Sequence, residues 1–165
     1  MPFFKFDLKS DLVLRSEDEQ SPVFEPADDN KYNLSYACLL IPRFDNHYLA
    51  GDVVEYLYSW MQQICISYGW KLDGINIQSE YMQWVASVAV TVSPAQIIRN
   101  VRQQTSEYIF NDFPKYKKLN IGNDFWAPAH LVIVGKQLHS RKTIQDFINL
   151  TRQQQAAGAF PRNKG

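Results

Sequence analysis

Gln78-Ser79-Glu80-Tyr81-Met82-Gln83-Trp84-Val85-Ala86-Ser87-Val88, followed at a short distance by Ser93-Pro94-Ala95-Gln96, decides the fold of this 165-residue chain. Upstream of the quoted run lies a first apolar strand, Trp70 to Ile77. The polar Gln78-Ser79-Glu80 interrupts it, and a second strand then runs from Tyr81 to Val92 beside it. Ser93-Pro94-Ala95-Gln96 opens a helix. The serine hydroxyl caps free N–H groups, proline suits the first helical position, and Gln96 completes a capping box. The sequence therefore reads strand, strand, helix.

The same rhythm extends outward. Tyr32 to Ile41 predicts a strand, with Leu34, Tyr36, Cys38 and Leu40 alternating and Pro42 ending it. After a loop over 43–51, Asp52 to Tyr68 predicts a helix. Its apolar positions Val54, Leu57, Met61, Ile64 and Tyr68 fall at steps of three and four, and Gly69 stops it. The helix opened by Ser93 runs to about Asn111. A long loop over 112–127 holds Lys115, Lys117 and Lys118. Pro128 to Gly135 predicts a fourth strand. Ser140 caps a last helix through about Gln155, with Ile144, Phe147, Ile148 and Thr151 on one face. The order β-α-β-β-α-β-α is that of an α+β, ferredoxin-like or RRM-like split βαβ antiparallel sheet with an extra C-terminal helix. The domain occupies residues 31–155. Residues 1–30 read as an acidic N-terminal arm and 156–165 as a flexible tail.

Composition narrows the function classes. The net charge of zero conceals an asymmetry: residues 1–30 carry three basic and eight acidic residues, whereas 31–155 carry twelve basic and nine acidic. A weakly basic body gives only limited charge for neutralising DNA phosphates. The chain has 4 Trp, 9 Tyr and 10 Phe, enough to fill a core and an oligomer contact. Cys38 and Cys65 lack C-x-x-C spacing and read as buried free thiols. The N-terminus has no uninterrupted apolar stretch, and the longest uncharged run is broken by polar residues. These features set the expectation of a cytoplasmic protein with no membrane span. His47, His130 and His139 are the only histidines, and no two are separated by a single residue. Neither a metal site nor any other cofactor is expected from them.

Three stretches carry a resemblance. Ser93-Pro94-Ala95-Gln96-Ile97-Ile98-Arg99-Asn100-Val101 continues to Phe113-Pro114. Phe125-Trp126-Ala127-Pro128-Ala129-His130 leads to Val134-Gly135. Thr143-Ile144-Gln145-Asp146-Phe147-Ile148 lies in the last helix. In order and spacing, over roughly residues 31–155, they resemble the HUH-type single-tyrosine transposases of small insertion sequences and repeat-associated elements. The resemblance implies a His-x-His pair on a central strand holding a divalent metal, a nucleophilic tyrosine on the last helix, and a glutamine one turn beyond it. On this chain those positions fall on Tyr81 and Gln83, on Phe147 and on Thr151. A phenyl ring has no oxygen with which to attack a phosphate, and a phenol and an amide do not replace two imidazoles at a catalytic metal.

The expectation is a catalytically inactive transposase-like protein that forms a homodimer. Its leading role is binding hairpin or single-stranded DNA through Arg99, Arg102, Lys115, Lys117 and Lys118. Arg99 and Arg102, three apart on a helix, share a face. The alternative is a dimeric protein–protein interaction module that has lost DNA binding, with a protein partner docking on the N-terminal arm.

Overall fold

A computed structural model describes residues 32–158; the arm over 1–30 and most of the tail lie outside the described residues. The elements are β1 (Leu34–Leu40), α1 (Asp52–Tyr68), β2 (Lys71–Gln78), β3 (Tyr81–Val88), α2 (Pro94–Asp112), α3 (Lys115–Leu119), β4 (Leu131–Val134) and α4 (Arg141–Ala156). The strands form one antiparallel sheet in the order β2-β3-β1-β4. This is the split βαβ, α+β arrangement that the sequence order implies, with α4 added.

Both faces of the sheet are covered. Tyr36, Cys38 and Leu40 of β1, with Met82, Trp84, Ala86 and Val88 of β3, pack against α1 and α2 in the larger core. Leu39 and Ile41 point the other way and pack against Ile144 and Ile148 of α4, with Ala127. The two central strands therefore read as nearly continuous apolar runs with only faint alternation. The two serine caps form as the sequence implies. Ser93 Oγ accepts from Gln96 N at 3.1 Å and Ser140 Oγ from Thr143 N at 3.2 Å. Gly69 ends α1 in the left-handed region, at φ 75°.

Four details depart from the sequence expectation. β3 stops at Val88, which pairs with Leu34 at that end of the ladder, and the chain then turns through Ala89–Val92 to reach Pro94. β4 spans four residues only, because Pro128 has no N–H for a ladder. The buried face of α1 is Val53, Leu57, Trp60, Met61, Ile64 and Cys65, so Tyr68 faces outward, stacked on Trp70 at 4.8 Å. Finally, the long loop contains the short helix α3, opened by Pro114 and held down by the buried Tyr116.

The contact between α4 and the sheet makes a direct stability prediction. Ile148→Ala removes a buried side chain from the smaller core and should lower the unfolding free energy by about 3 kcal/mol. A shift of the urea midpoint with an unchanged slope is the expected result. An unchanged midpoint would mean that α4 does not carry this face.

Candidate functional site

The sheet face beneath α4 collects the four positions singled out from the sequence. Tyr81 and Gln83 are alternate residues of β3 and project from the same face as Leu39 and Ile41. Tyr81 and Phe147 are half-buried and pack on the same apolar cluster with Leu131. Thr151, one turn after Phe147, is buried. Gln83 is buried with both ends of its amide held: Nε2 donates to Asn76 Oδ1 at 3.3 Å, and Oε1 accepts from His139 N at 3.0 Å. The His139 ring lies alongside, its Nε2 at 3.0 Å from the Ala37 carbonyl. α4 is clamped at its other end. Arg152 donates to the Pro42 and Arg43 carbonyls at 2.8 and 2.9 Å, and Gln155 adds a third bond to Arg43 O at 3.0 Å. Burial pushes the Arg152 guanidinium below its ordinary pKa, against the opposing pull of Asp45 and Glu80. Among the described residues no group of three or more His, Cys, Asp or Glu is placed to hold a metal ion.

The five basic positions are not brought together. Arg99 is exposed on the second turn of α2, but Arg102 turns inward. Its guanidinium pairs with Asp124 at 2.7 Å and also donates to the carbonyls of Ala127 and Ala129. Asp124 in turn accepts from Trp126 N at 3.0 Å, and Trp126 Nε1 donates to Thr105 Oγ1 at 2.8 Å. Arg102 thus anchors the segment entering β4. Burial depresses its pKa, and Asp124 opposes that shift. Lys117 is likewise engaged, donating to the Ile121 and Gly122 carbonyls over the Phe110 ring. Lys115 and Lys118 are exposed on α3. From Arg99 to the end of α2 at Asp112 the helix rises about 20 Å. The available cations are therefore Arg99 at one end of α2 and the two lysines beyond the other.

Beside Arg99, a cleft of about 430 Å³ lies between α2 and the segment before β4, with Arg99, Arg102, Gln103 and His130 among its polar walls. Burial, followed by the charge of Arg102, lowers the His130 pKa.

The sequence profile described as transposase IS200-like matches residues 30–151, about three quarters of the chain. This chain belongs to the IS200-like transposase family. Among solved structures it is similar to a proposed transposase from Deinococcus radiodurans, with 19% identity and a TM-score of 0.65. That match covers 73% of this chain and 92% of the other. It is also similar to a REP-associated tyrosine transposase bound to a REP hairpin, with 9% identity and a TM-score of 0.48, covering 79% and 69%. No curated protein matches the chain. The Deinococcus likeness supports the same fold, and the profile extends across every described element except the last turns of α4.

Within this family member the remaining chemistry-bearing side chains are held by packing. Tyr116 is buried, donates to the Tyr48 carbonyl at 3.0 Å and has its pKa raised by burial. Tyr108 is half-buried against Trp60, with ring centroids 5.2 Å apart. Cys38 and Cys65 are free and buried in the larger core, and desolvation pushes both thiols up to about 12. His47 sits among Phe44, Tyr116 and Phe125, stacked on the last at 5.9 Å. Its Nδ1 has no hydrogen-bond partner, and burial lowers its pKa. Sequence reading could not foresee either the His47 cage or the Arg102–Asp124 pair, since each is closed by residues distant in the chain.

Two outcomes follow. Arg102→Ala strands Asp124 and two carbonyls and should cost about 2–3 kcal/mol of stability. Arg102→Lys should recover only part, because one ammonium cannot replace the planar fork. Urea unfolding of both variants checks this. For His47, the folded state favours the neutral ring, so the unfolded chain binds the proton more readily. Its stabilising effect is full above the ordinary pKa of 6.5 and falls as pH drops below it. His47→Phe should flatten the loss of thermal stability between about pH 6.5 and 5; an unaltered profile would place that titration elsewhere.

Proposed function

We propose that this protein is a catalytically inactive member of the IS200-like transposase family, acting as a homodimeric DNA-binding protein for hairpin or single-stranded DNA. The observation that carries the reading is that Phe147 and Tyr81 pack on one apolar cluster. The position expected to bear the nucleophile and one position expected to ligate the metal are both aromatic and share an apolar cluster. Gln83, at the other ligand position, has its amide engaged at both ends. An attacking oxygen and a metal-held phosphate must coincide for this family's chemistry; Phe147 has no oxygen at the nucleophile position, and Tyr81 and Gln83 offer no imidazole at the ligand positions.

Hairpin oligonucleotides incubated with the protein and magnesium or manganese should give no covalent adduct. Phe147→Tyr alone should also stay silent, since a nucleophile without metal ligands does not complete the reaction. A metal-dependent adduct with either protein would overturn the assignment of inactivity.

Of the five basic positions, Arg99, Lys115 and Lys118 are open for phosphate contact, and each phosphate neutralised releases counterions. Binding should therefore weaken steeply with salt. Lys115→Gln with Lys118→Gln should flatten the slope of log affinity against log salt by about two units. Lys117→Gln should act chiefly on stability. Deleting residues 1–30, which carry three basic and eight acidic residues, should strengthen binding. If neither the full chain nor the shortened one binds at low salt, the DNA reading fails.

Light scattering at micromolar concentration should report about twice the 19.2 kDa chain mass, and a monomer throughout would reject the homodimer. A second reading, a dimeric protein–protein module, draws its support from α1. From Tyr56 to Trp70 the chain has no charged residue, although much of that helix faces solvent.

A further inference from the structure

We propose that the acidic N-terminal arm docks on its own domain, with Phe24 seated in the pocket between α1 and β2. The pocket has a volume of about 420 Å³, and Tyr32, Gln62, Cys65, Ile66, Trp70 and Leu72 are among its walls. That size falls within the roughly 300–1,000 Å³ of clefts that hold ligands. Cys65 and Trp70 are buried, whereas Tyr32 is exposed and Ile66 is open to 76%. Exposed apolar side chains grouped around one pocket, unlike single ones, mark a surface that packs against something. The proposal needs neither the DNA reading nor the homodimer reading.

The point where the arm joins the domain selects this occupant. Tyr32, the first described residue, stands on the pocket wall, so the chain enters the domain there. Phe24 precedes Tyr32 by eight residues, a reach of at most about 29 Å. The residues between them, Glu25-Pro26-Ala27-Asp28-Asp29-Asn30-Lys31, offer no large apolar side chain. Val23 and Phe24 are therefore the first such side chains upstream of the pocket, and the next, Leu14, is eighteen residues from Tyr32. Effective concentration falls with about the −3/2 power of tether length, which favours Phe24 over Leu14 by roughly threefold. Pro22 and Pro26 flank the pair and reduce the conformational freedom that docking must remove.

The charges also match. From Ser16 to Asn30 the arm holds six carboxylates and no cation. From Tyr56 to Tyr68 α1 carries no charge, so nothing along that stretch repels them. Lys71, on the pocket wall, has a side chain 62% exposed and holds only a long 3.9 Å contact to Asp73. The Asp73 carboxylate also accepts from the Ser87 hydroxyl, which turns it toward the sheet. Glu25, next to Phe24 in the chain, is thus placed to reach Lys71 once the ring is seated. A nucleic acid would find one cation here and little else to hold its phosphates.

The test uses the full-length protein with added cysteine pairs, since the native Cys38 and Cys65 are buried. Glu25→Cys with Gln62→Cys leaves Phe24 and the apolar walls in place. Under mild oxidation this pair should form a disulfide within one chain, read as the mass of one chain on a non-reducing gel and as a linked peptide pair after proteolysis. Glu25→Cys with Gln63→Cys moves the second thiol about 100° around α1, off the pocket, and should react about tenfold more slowly. Adding Phe24→Asp to the first pair should slow it by about the same factor, because the anchor is lost while the tether is kept. Circular dichroism should be the same for all these variants, since Gln62 and Gln63 are exposed. Equal rates for the Gln62 and Gln63 pairs, or a Gln62 cross-link indifferent to Phe24→Asp, would overturn the seating of Phe24. A Glu25–Gln62 pair that stays unlinked rejects docking altogether. A disulfide formed only between chains assigns the pocket to the arm of another molecule and rejects docking within one chain.

Discussion

The second face of the sheet cannot be left to water. Leu39 and Ile41 are fully buried there, on the strand that also supplies Cys38 and Leu40 to the opposite core. A central strand apolar on both sides obliges the chain to provide two layers. α1 and α2 form one, and α4 forms the other. The requirement acts through ordinary burial, at roughly 25 cal/mol per Å² of apolar surface removed from water. Ile144 and Ile148 supply that surface, while Arg152 and Gln155 bind the carbonyls after β1 and set where α4 lies. Once α4 is placed, Phe147 packs on the apolar cluster that Tyr81 also joins, and Thr151 follows one turn later. The gathering of the four candidate positions is thus a consequence of covering the sheet.

The same constraint supports the proposed inactivity, because packing residues can fill these positions while the fold is kept. A metal-binding histidine pair and a nucleophile demand space, water and charge beneath α4. Aromatic residues at Tyr81 and Phe147 instead extend the apolar cluster there, and they do so at positions where burial is already favourable. Gln83 is the polar exception. A buried amide is tolerable only when both of its ends are bonded, and Asn76 and the His139 backbone meet that need. Each position therefore has a packing or hydrogen-bonding role of its own.

Much of the architecture was legible because it is written in local signals. Ser93-Pro94, Gly69 and Ser140 mark helix ends by short-range chemistry, and the end of α1 at Tyr68 follows from Gly69. The family order of elements was legible too, since it depends on spacing. What escaped was set by distance in space. Arg102 and Arg99 share a helix face, about 60° apart on the wheel, yet Arg102 turns inward because Asp124 and two carbonyls wait there. Lys117 looks like its neighbours in sequence but folds back on Gly122 and Phe110. The stripe expected on α1 was rotated by the burial of Val53, Trp60 and Cys65, which left Tyr68 to the surface. A cation's availability is a tertiary property, and no count of Lys and Arg can report it.

These assignments divide the surface by charge. The sheet order β2-β3-β1-β4, with α1 packing on α2 and β2, places α1 toward the β2 edge. Arg99 and the cleft beside His130 lie against the segment leading to β4, at the opposite edge. Arg99 near one edge and, at the other, the uncharged part of α1 from Tyr56 to Tyr68 stand apart on the surface. A phosphate backbone is drawn by long-range attraction that falls away within a Debye length of about 8 Å at physiological salt. The uncharged outer face of α1 offers short-range packing that salt does not screen.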